Sequence, residues 1–360
     1  EMKTKPTQQS VGKLREIGIQ PDVLVCRTEQ AMTAEMAKKI SLFCNVRLEG
    51  VIEERDVEFS IYEVPVMLVK AGLDRMVARH LGLADEVATD LEDWQAMLDQ
   101  MRRTSETCEV AVVGKYIELH DAYKSIYESL AHAGVANRCK VRVRKVKAED
   151  YAARGPALLE GVDGILVPGG FGERGLEGKI LAIQHAREAG IPFFGICLGM
   201  QCATIEFARN VLGLERAHTA EFSAETPDPV IHLMSDQADV HEKGGTMRLG
   251  AWPCSIAPGT LAHRLYGQTL ISERHRHRYE FNNAYRERFA AAGMVLSGVN
   301  PERDLVEILE LGDHPFFIGV QYHPEFKGRP LAPQPIFRAF VEAALAHARS
   351  PRPQKETVIR

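Results

Sequence analysis

Apolar positions along the chain fall into two repeating patterns. Short apolar runs, of the kind that form strands buried on both faces, recur at residues 21–26, 108–116, 163–168 and 192–196, and residues 139–146 also read as a strand. Between them lie stretches with helical spacing, at 31–43 (feeding another short strand), 121–133, 176–189 and 202–211. Strands alternating with helices of this length predict right-handed crossovers and a mainly parallel sheet. From 247 to 321 strand-like runs follow one another more closely, which predicts antiparallel additions. Residues 86–107 turn acidic (Leu91-Glu92-Asp93-Trp94) and then basic (Arg102-Arg103-Thr104-Ser105), and read as a helical linker. The expected organisation is a first α/β segment at 1–85, the linker at 86–107, a larger α/β domain at 108–347, and a disordered polar tail at 348–360.

Composition narrows the classes. A length of 360 residues allows two domains. An apolar content of 45% and a charged content of 26% belong to an ordinary globular protein. The net charge of −5 gives no electrostatic reason to expect nucleic acid, and no apolar run is long enough to suggest a membrane partner. Seven scattered cysteines without a Cys-x-x-Cys pair fit a reducing, cytoplasmic setting and suggest no metal site. The opening on Glu1-Met2-Lys3 reads as a cut through a longer protein.

The strongest chemical signal is Phe194-Gly195-Ile196-Cys197-Leu198-Gly199-Met200-Gln201, a Gly-x-Cys-x-Gly sequence between an apolar strand and a helix. This matches the nucleophile elbow of serine hydrolases with sulfur in place of oxygen. The flanking glycines are expected to let the chain turn sharply and hold the nucleophile in a strained conformation. The N-terminus of the next helix favours a thiolate and can bind an oxyanion. A base for Cys197 is offered by Val320-Gln321-Tyr322-His323-Pro324-Glu325, where Pro324 fixes the backbone so that His323 and Glu325 point to the same side. Glu325 would orient the imidazole while His323 activates the thiol. A third element, Pro168-Gly169-Gly170-Phe171-Gly172, follows a strand and would turn backbone N–H groups toward an oxyanion, together with the N–H of Leu198. A phosphate-cradling loop is the rival reading, but no Gly-Lys-Ser/Thr follows.

These three elements, in this order, resemble the class I glutamine amidotransferases over about residues 108–345. The resemblance implies a flavodoxin-like α/β domain with a mainly parallel sheet and antiparallel additions. Further words narrow it to the CTP synthase family: Gly114-Lys115-Tyr116-Ile117-Glu118-Leu119, Gly244-Gly245-Thr246-Met247-Arg248-Leu249-Gly250 and Glu273-Arg274-His275-Arg276-His277-Arg278-Tyr279-Glu280. Residues 1–85 are similar to the C-terminal part of that family's α/β synthetase domain.

The resemblance implies that Gly170, Leu198, Gly199, Met200, Gln201, Glu221 and Arg278 hold glutamine. An arginine suits the substrate α-carboxylate, and a carboxylate such as Glu221 suits its α-ammonium. It also implies UTP, or CTP as feedback inhibitor, at Lys3, Thr4, Lys5, Pro6, Thr7, Gln8 and Lys39. ATP is implied at Arg55, Asp56 and Val57, and GTP as activator near Phe171 and Arg174. Magnesium ligands are implied outside this sequence, and the family assembles as a homo-oligomer, a homotetramer.

The chain departs from the family in two places. No Gly-x-x-x-x-Gly-Lys-Ser/Thr occurs in these 360 residues, so the chain as given is expected to supply the glutaminase half. The segment 230–243 is shorter than the family pattern, where a lid over the GTP site is expected. Two alternatives stay open: a stand-alone glutaminase or γ-glutamyl hydrolase, and an inactive regulatory or filament-forming relative.

Overall fold

The computed structural model describes residues 2–83, 89–233 and 247–351. The tail expected to be disordered from 348 is helical through Arg349, the end of the helix Pro335–Arg349. Its residues 352–360, the Gly244-Gly245-Thr246 motif and most of the shortened segment 230–243 lie outside the described residues. The chain divides into two compact units, Glu1–Arg102 and Arg103–Arg360.

In the first unit, helix α1 (Lys5–Glu16) precedes strand β1 (Leu24–Thr28), helix α2 (Ala34–Cys44) and strand β2 (Val51–Arg55). The two strands pair in parallel, from Leu24 opposite Val51 to Thr28 opposite Arg55. Thr33 caps α2 by accepting from the Met36 N–H, and Asn45 ends it in the left-handed conformation. Val11, Cys26, Ile40, Cys44, Val46 and Val51 close a small core between helices and strands. Helices α3 (Val64–Lys70), α4 (Leu73–His80) and α5 (Glu92–Arg103) follow. The expected linker therefore contains α5. Its Trp94 packs edge-on against Tyr62 and donates its indole N–H to the Tyr62 carbonyl at 2.7 Å, which ties this helix to the first unit.

The second unit runs β3 (Thr107–Gly114), α6 (Lys124–Ala136), β4 (Lys140–Lys147), α7 (Ala148–Arg154), β5 (Gly164–Val167), α8 (Leu176–Ala189), β6 (Phe193–Ile196) and α9 (Leu198–Asn210). Then come β7 (Ala217–Thr219), β8 (Asp228–Leu233), β9 (Arg248–Ile256), α10 (Leu261–Tyr266), β10 (Leu270–His277) and β11 (Tyr279–Phe281). The unit ends with α11 (Arg286–Ala291), β12 (Met294–Asn300), β13 (Leu305–Leu311), β14 (Phe317–Val320) and α12 (Pro335–Arg349).

Nine strands form one sheet in the order β10-β9-β12-β13-β14-β6-β5-β3-β4. The five from β14 to β4 are parallel, and β13, β12, β9 and β10 extend the sheet by antiparallel pairing. The antiparallel additions expected after residue 247 are these strands. A small second sheet, β11-β8-β7, lies beside it.

The four inner parallel strands, β3, β5, β6 and β14, are apolar on both faces because helices cover both, while the edge strand β4 carries exposed Lys140, Arg142 and Lys145. Ala111 and Val113 of β3 face a core shared with Ile180 and Ile183 of α8 and Ile205 of α9. Val110 and Val112 face the opposite core, with Leu130 of α6 and Phe337 and Phe340 of α12. Adjacent strands β14, β6 and β5 all run the same way, so the segments leaving their C-terminal ends meet at one edge of the sheet. In open α/β sheets this edge is where ligands bind.

Candidate active site

Cys197 sits between β6 and α9 with φ 51° and ψ −104°, a conformation rare for a residue with a Cβ. Its N–H donates to the Val320 carbonyl at 2.7 Å, which ties the turn to β14 and leaves the Leu198 N–H as the first amide of the helix. The flanking glycines are there for close approach. A Cβ on Gly195 would lie 2.8 Å from the Gly199 carbonyl carbon, and one on Gly199 would lie 2.1 Å from the Val167 oxygen. Neither has a positive φ. The strain expected of the elbow is carried by Cys197 itself.

Beyond β14, the His323 N–H donates to the Arg274 carbonyl at 2.8 Å. Its Nδ1 lies 2.8 Å from Glu325 Oε1. A carboxylate accepts, so Nδ1 carries the proton and Nε2 is left for Cys197. Phe326 stacks on the imidazole with ring centroids 5.5 Å apart. Burial alone would lower the His323 pKa. The charge and hydrogen bond of Cys197, with the Glu325 carboxylate, overcome this and push it up to about 10. The loop after β5 makes room for the ring, since a Cβ on Gly169 would sit 3.0 Å from His323 Cε1.

A cavity of about 340 Å³ opens beside Cys197. Of the residues expected to hold glutamine, Gly170, Leu198, Gln201, Glu221 and Arg278 line it. Gly199 and Met200 do not. They sit on the inward side of the same first turn of α9, Gly199 against Val167 and Met200, fully buried, toward Gly319. Phe171, Phe222, Met247, His277 and Tyr279 complete the lining and were not among the residues expected to hold glutamine, Phe171 being expected near GTP instead. For Phe171, His277 and Tyr279 the signal was present, since they adjoin the quoted glycines and Arg278. Phe222 likewise adjoins Glu221, and Met247 lies within the motif at 244–250.

Sequence also missed Lys179, which lies behind the loop, 1% exposed. Its Nζ is 3.7 Å from where a Cβ on Gly170 would be. No carboxylate of the described residues is within ion-pair distance of it, and burial pulls its pKa down. With the folded value depressed by burial, the unfolded chain binds this proton more tightly, so the penalty is full below the folded value and fades as pH rises from there toward the ordinary lysine range. Lys179→Met is therefore expected to stabilise the protein by about 1–3 kcal/mol at neutral pH. The gain should shrink in alkaline buffer. Denaturant melts at two pH values check this, and a destabilised Lys179→Met would show that the ammonium is a structural contact.

In the first unit, a cavity of about 650 Å³ is lined by Lys3, Thr4, Pro6 and Thr7, with Val25, Arg27 and Glu29 of the β1 end. Lys5, Gln8 and Lys39 lie outside its lining. Gln8 donates to Thr4 Oγ1 at 3.1 Å, and Lys39 is exposed on α2. Arg55 ends β2 opposite Thr28, and Asp56 accepts from Arg27 Nε at 2.7 Å, with Val57 following half-buried. Among the described residues, no group of three or more His, Cys, Asp or Glu side chains is placed to hold a metal ion.

The profile described as glutamine amidotransferase class-I matches residues 118–343, and the chain belongs to that family. The profile described as CTP synthase N-terminus matches residues 1–83. The CTP synthase of Caldanaerobacter subterraneus subsp. tengcongensis is 56% identical over 346 residues, 96% of this chain and 64% of that protein. The CTP synthase of Geobacter metallireducens is 54% identical over 349 residues, with coverage of 96% and 64%. The chain thus spans 64% of the length of these curated relatives. Among solved structures, the glutaminase domain of Trypanosoma brucei CTPS with bound acivicin superposes with a TM-score of 0.61. It is 38% identical and covers 66% of this chain and 94% of that one.

Proposed function

We propose that this chain hydrolyses glutamine at Cys197 and that the ammonia serves the ATP-dependent amination of UTP to CTP. The observation that carries the first part is the Cys197–His323–Glu325 arrangement at one end of a cavity that also holds Arg278 and Glu221. Cys197 Sγ attacks the side-chain amide carbon of glutamine, and the N–H groups of Gly170 and Leu198 receive the charge on oxygen. His323, held as imidazolium by its partners, gives its proton to the departing ammonia. Water, deprotonated by the same imidazole, then adds to the thioester and releases glutamate. Arg278 takes the substrate α-carboxylate and Glu221 its α-ammonium.

The second part is supported by the relatives' names and by the match of residues 1–83. On this reading UTP, or CTP as inhibitor, contacts Lys3 to Gln8 and Lys39, and ATP lies along Arg55 to Val57. The cavity lined by Lys3, Thr4, Pro6 and Thr7 favours the pyrimidine nucleotide there. GTP is assigned to Phe171 and Arg174, and the working form is a cytoplasmic homo-oligomer. Magnesium, bound with ATP, would neutralise phosphate charge; no residue described here is assigned to it.

Arg278→Ala tests the glutamine site. Losing the partner of a bound carboxylate costs about 2 kcal/mol or more, roughly thirtyfold in KM. The melting temperature should change little. Steady-state glutamate release with an unchanged KM would remove Arg278 from the site.

A further inference from the structure

The mechanism uses three side chains, but a fourth touches the reacting sulfur. Gln321 Nε2 lies 3.7 Å from Cys197 Sγ, and Gln321 is 1% exposed. Which end of a buried amide faces a neighbour has to be argued from its other bonds, and here those bonds leave one answer. The anchor is the Tyr279 carbonyl oxygen, which can only accept. Gln201 approaches it at 2.9 Å, so the Gln201 amide nitrogen faces it. That nitrogen also lies 3.2 Å from the other end of Gln321, which must then be the acceptor Oε1. The Gln321 NH2 is left facing sulfur.

The anchor is itself held. His277 Nδ1 lies 3.0 Å from the same carbonyl and must be its donor, and His277 Nε2 accepts from His275 Nδ1 at 3.0 Å. Burial holds the His277 pKa well below the ordinary value, which keeps this ring neutral and its tautomer fixed. His275 Nε2 in turn lies 3.0 Å from Glu307 Oε2 without hydrogen-bond geometry, and this contact is an ion pair only when the buried ring is protonated.

We propose that Gln321 is a catalytic residue of this site, donating an N–H to the Cys197 thiolate and holding the sulfur aimed at the cavity. The Cys197 S–H, by contrast, points at the Arg276 carbonyl, 3.9 Å away. Losing its proton frees the sulfur to accept from Gln321 and from the His323 imidazolium together. In a dry site, a donor to an ionised acceptor strengthens as the charge forms.

The proposal rests on Cys197 being the nucleophile, and its test is chosen to separate the two. Gln321→Met keeps the volume and removes the donor. At neutral pH its Cys197 should react with iodoacetamide about tenfold more slowly than wild type. Thiolate ultraviolet absorbance should be lower, and glutamine kcat should fall about tenfold with KM within threefold. The thermal melt should stay close to wild type. If Gln321→Met does not fold, Gln321→Asn, one carbon too short to reach sulfur while bonded to Gln201, carries the same expectation. Wild-type alkylation and absorbance in a folded variant would overturn the proposal. Because iodoacetamide needs no glutamine site, slow alkylation in the variant beside a wild type inactive on glutamine would uphold Gln321's role and overturn glutamine hydrolysis.

Discussion

Cys197→Ala should abolish glutamine hydrolysis, lowering kcat by four orders of magnitude or more, on the order of 5 kcal/mol of barrier. The side chain is 4% exposed, so its removal leaves a small void worth about 1 kcal/mol, and the domain should stay folded. The same variant carries a second readout. The sulfur is the main influence raising His323 against the lowering effect of burial, with Glu325 adding to it. Without the sulfur, burial is opposed by Glu325 alone, and the His323 pKa should fall from about 10. An NMR titration of the imidazole would show this directly. In the wild type the raised value keeps the acid form present through the neutral range, and activity is lost as pH rises through it. The stabilising contribution has the same sign: it is full below the ordinary histidine value of 6.5 and is lost as pH climbs toward about 10. Glutamate release that persists in Cys197→Ala would end the assignment of the nucleophile.

The four inner parallel strands were legible because strands buried on both faces must be continuously apolar, whereas the edge strand β4 reads as an alternation of valine with lysine and arginine. The helix expected at 176–189 is α8 at those bounds, since Gly175 and Gly190 close it in left-handed conformations at both ends. The strand read at 21–26 begins later, at Leu24, because Pro21 and Asp22 have no ladder partner and β2 supplies one only from Val51. The Gly-x-Cys-x-Gly motif was readable while its physics was not. Local sequence suggested that glycines supply unusual φ angles, but their role is set by Val167 and Gly199, contacts made only after β5, β6 and α9 pack. Gln321 was in plain view two residues before His323. Its role depends on an amide orientation fixed by Gln201 and the Tyr279 carbonyl, 120 and 42 residues away along the chain, and no local pattern encodes that.

Gly199→Ala is expected to be the most damaging single-methyl change at the site. The added Cβ would lie 2.1 Å from the Val167 oxygen and 3.0 Å from its carbonyl carbon, and both are backbone atoms at the end of β5. No side chain can turn aside to relieve this, so α9 must move off the sheet. Its first residues are fully packed, with Met200 and Cys202 completely buried. Overpacking ordinarily costs about 1–3 kcal/mol. A clash between two backbone segments should exceed that range, a large share of the roughly 5–15 kcal/mol that holds a domain together. The helix shift would also carry the Leu198 N–H away from the oxyanion, so any protein that folds should have lost kcat. Gly170→Ala is the control at the same site. Its Cβ would meet only Lys179 Nζ at 3.7 Å and Leu198 Cδ2 at 3.8 Å, which are ordinary contacts. Thermal melts of the two variants side by side should show Gly170→Ala near wild type and Gly199→Ala lower by 10 °C or more, on the order of the shift expected for several kcal/mol. Equal melting temperatures would mean that β5 and α9 do not approach each other as closely as the carbonyl of Val167 requires.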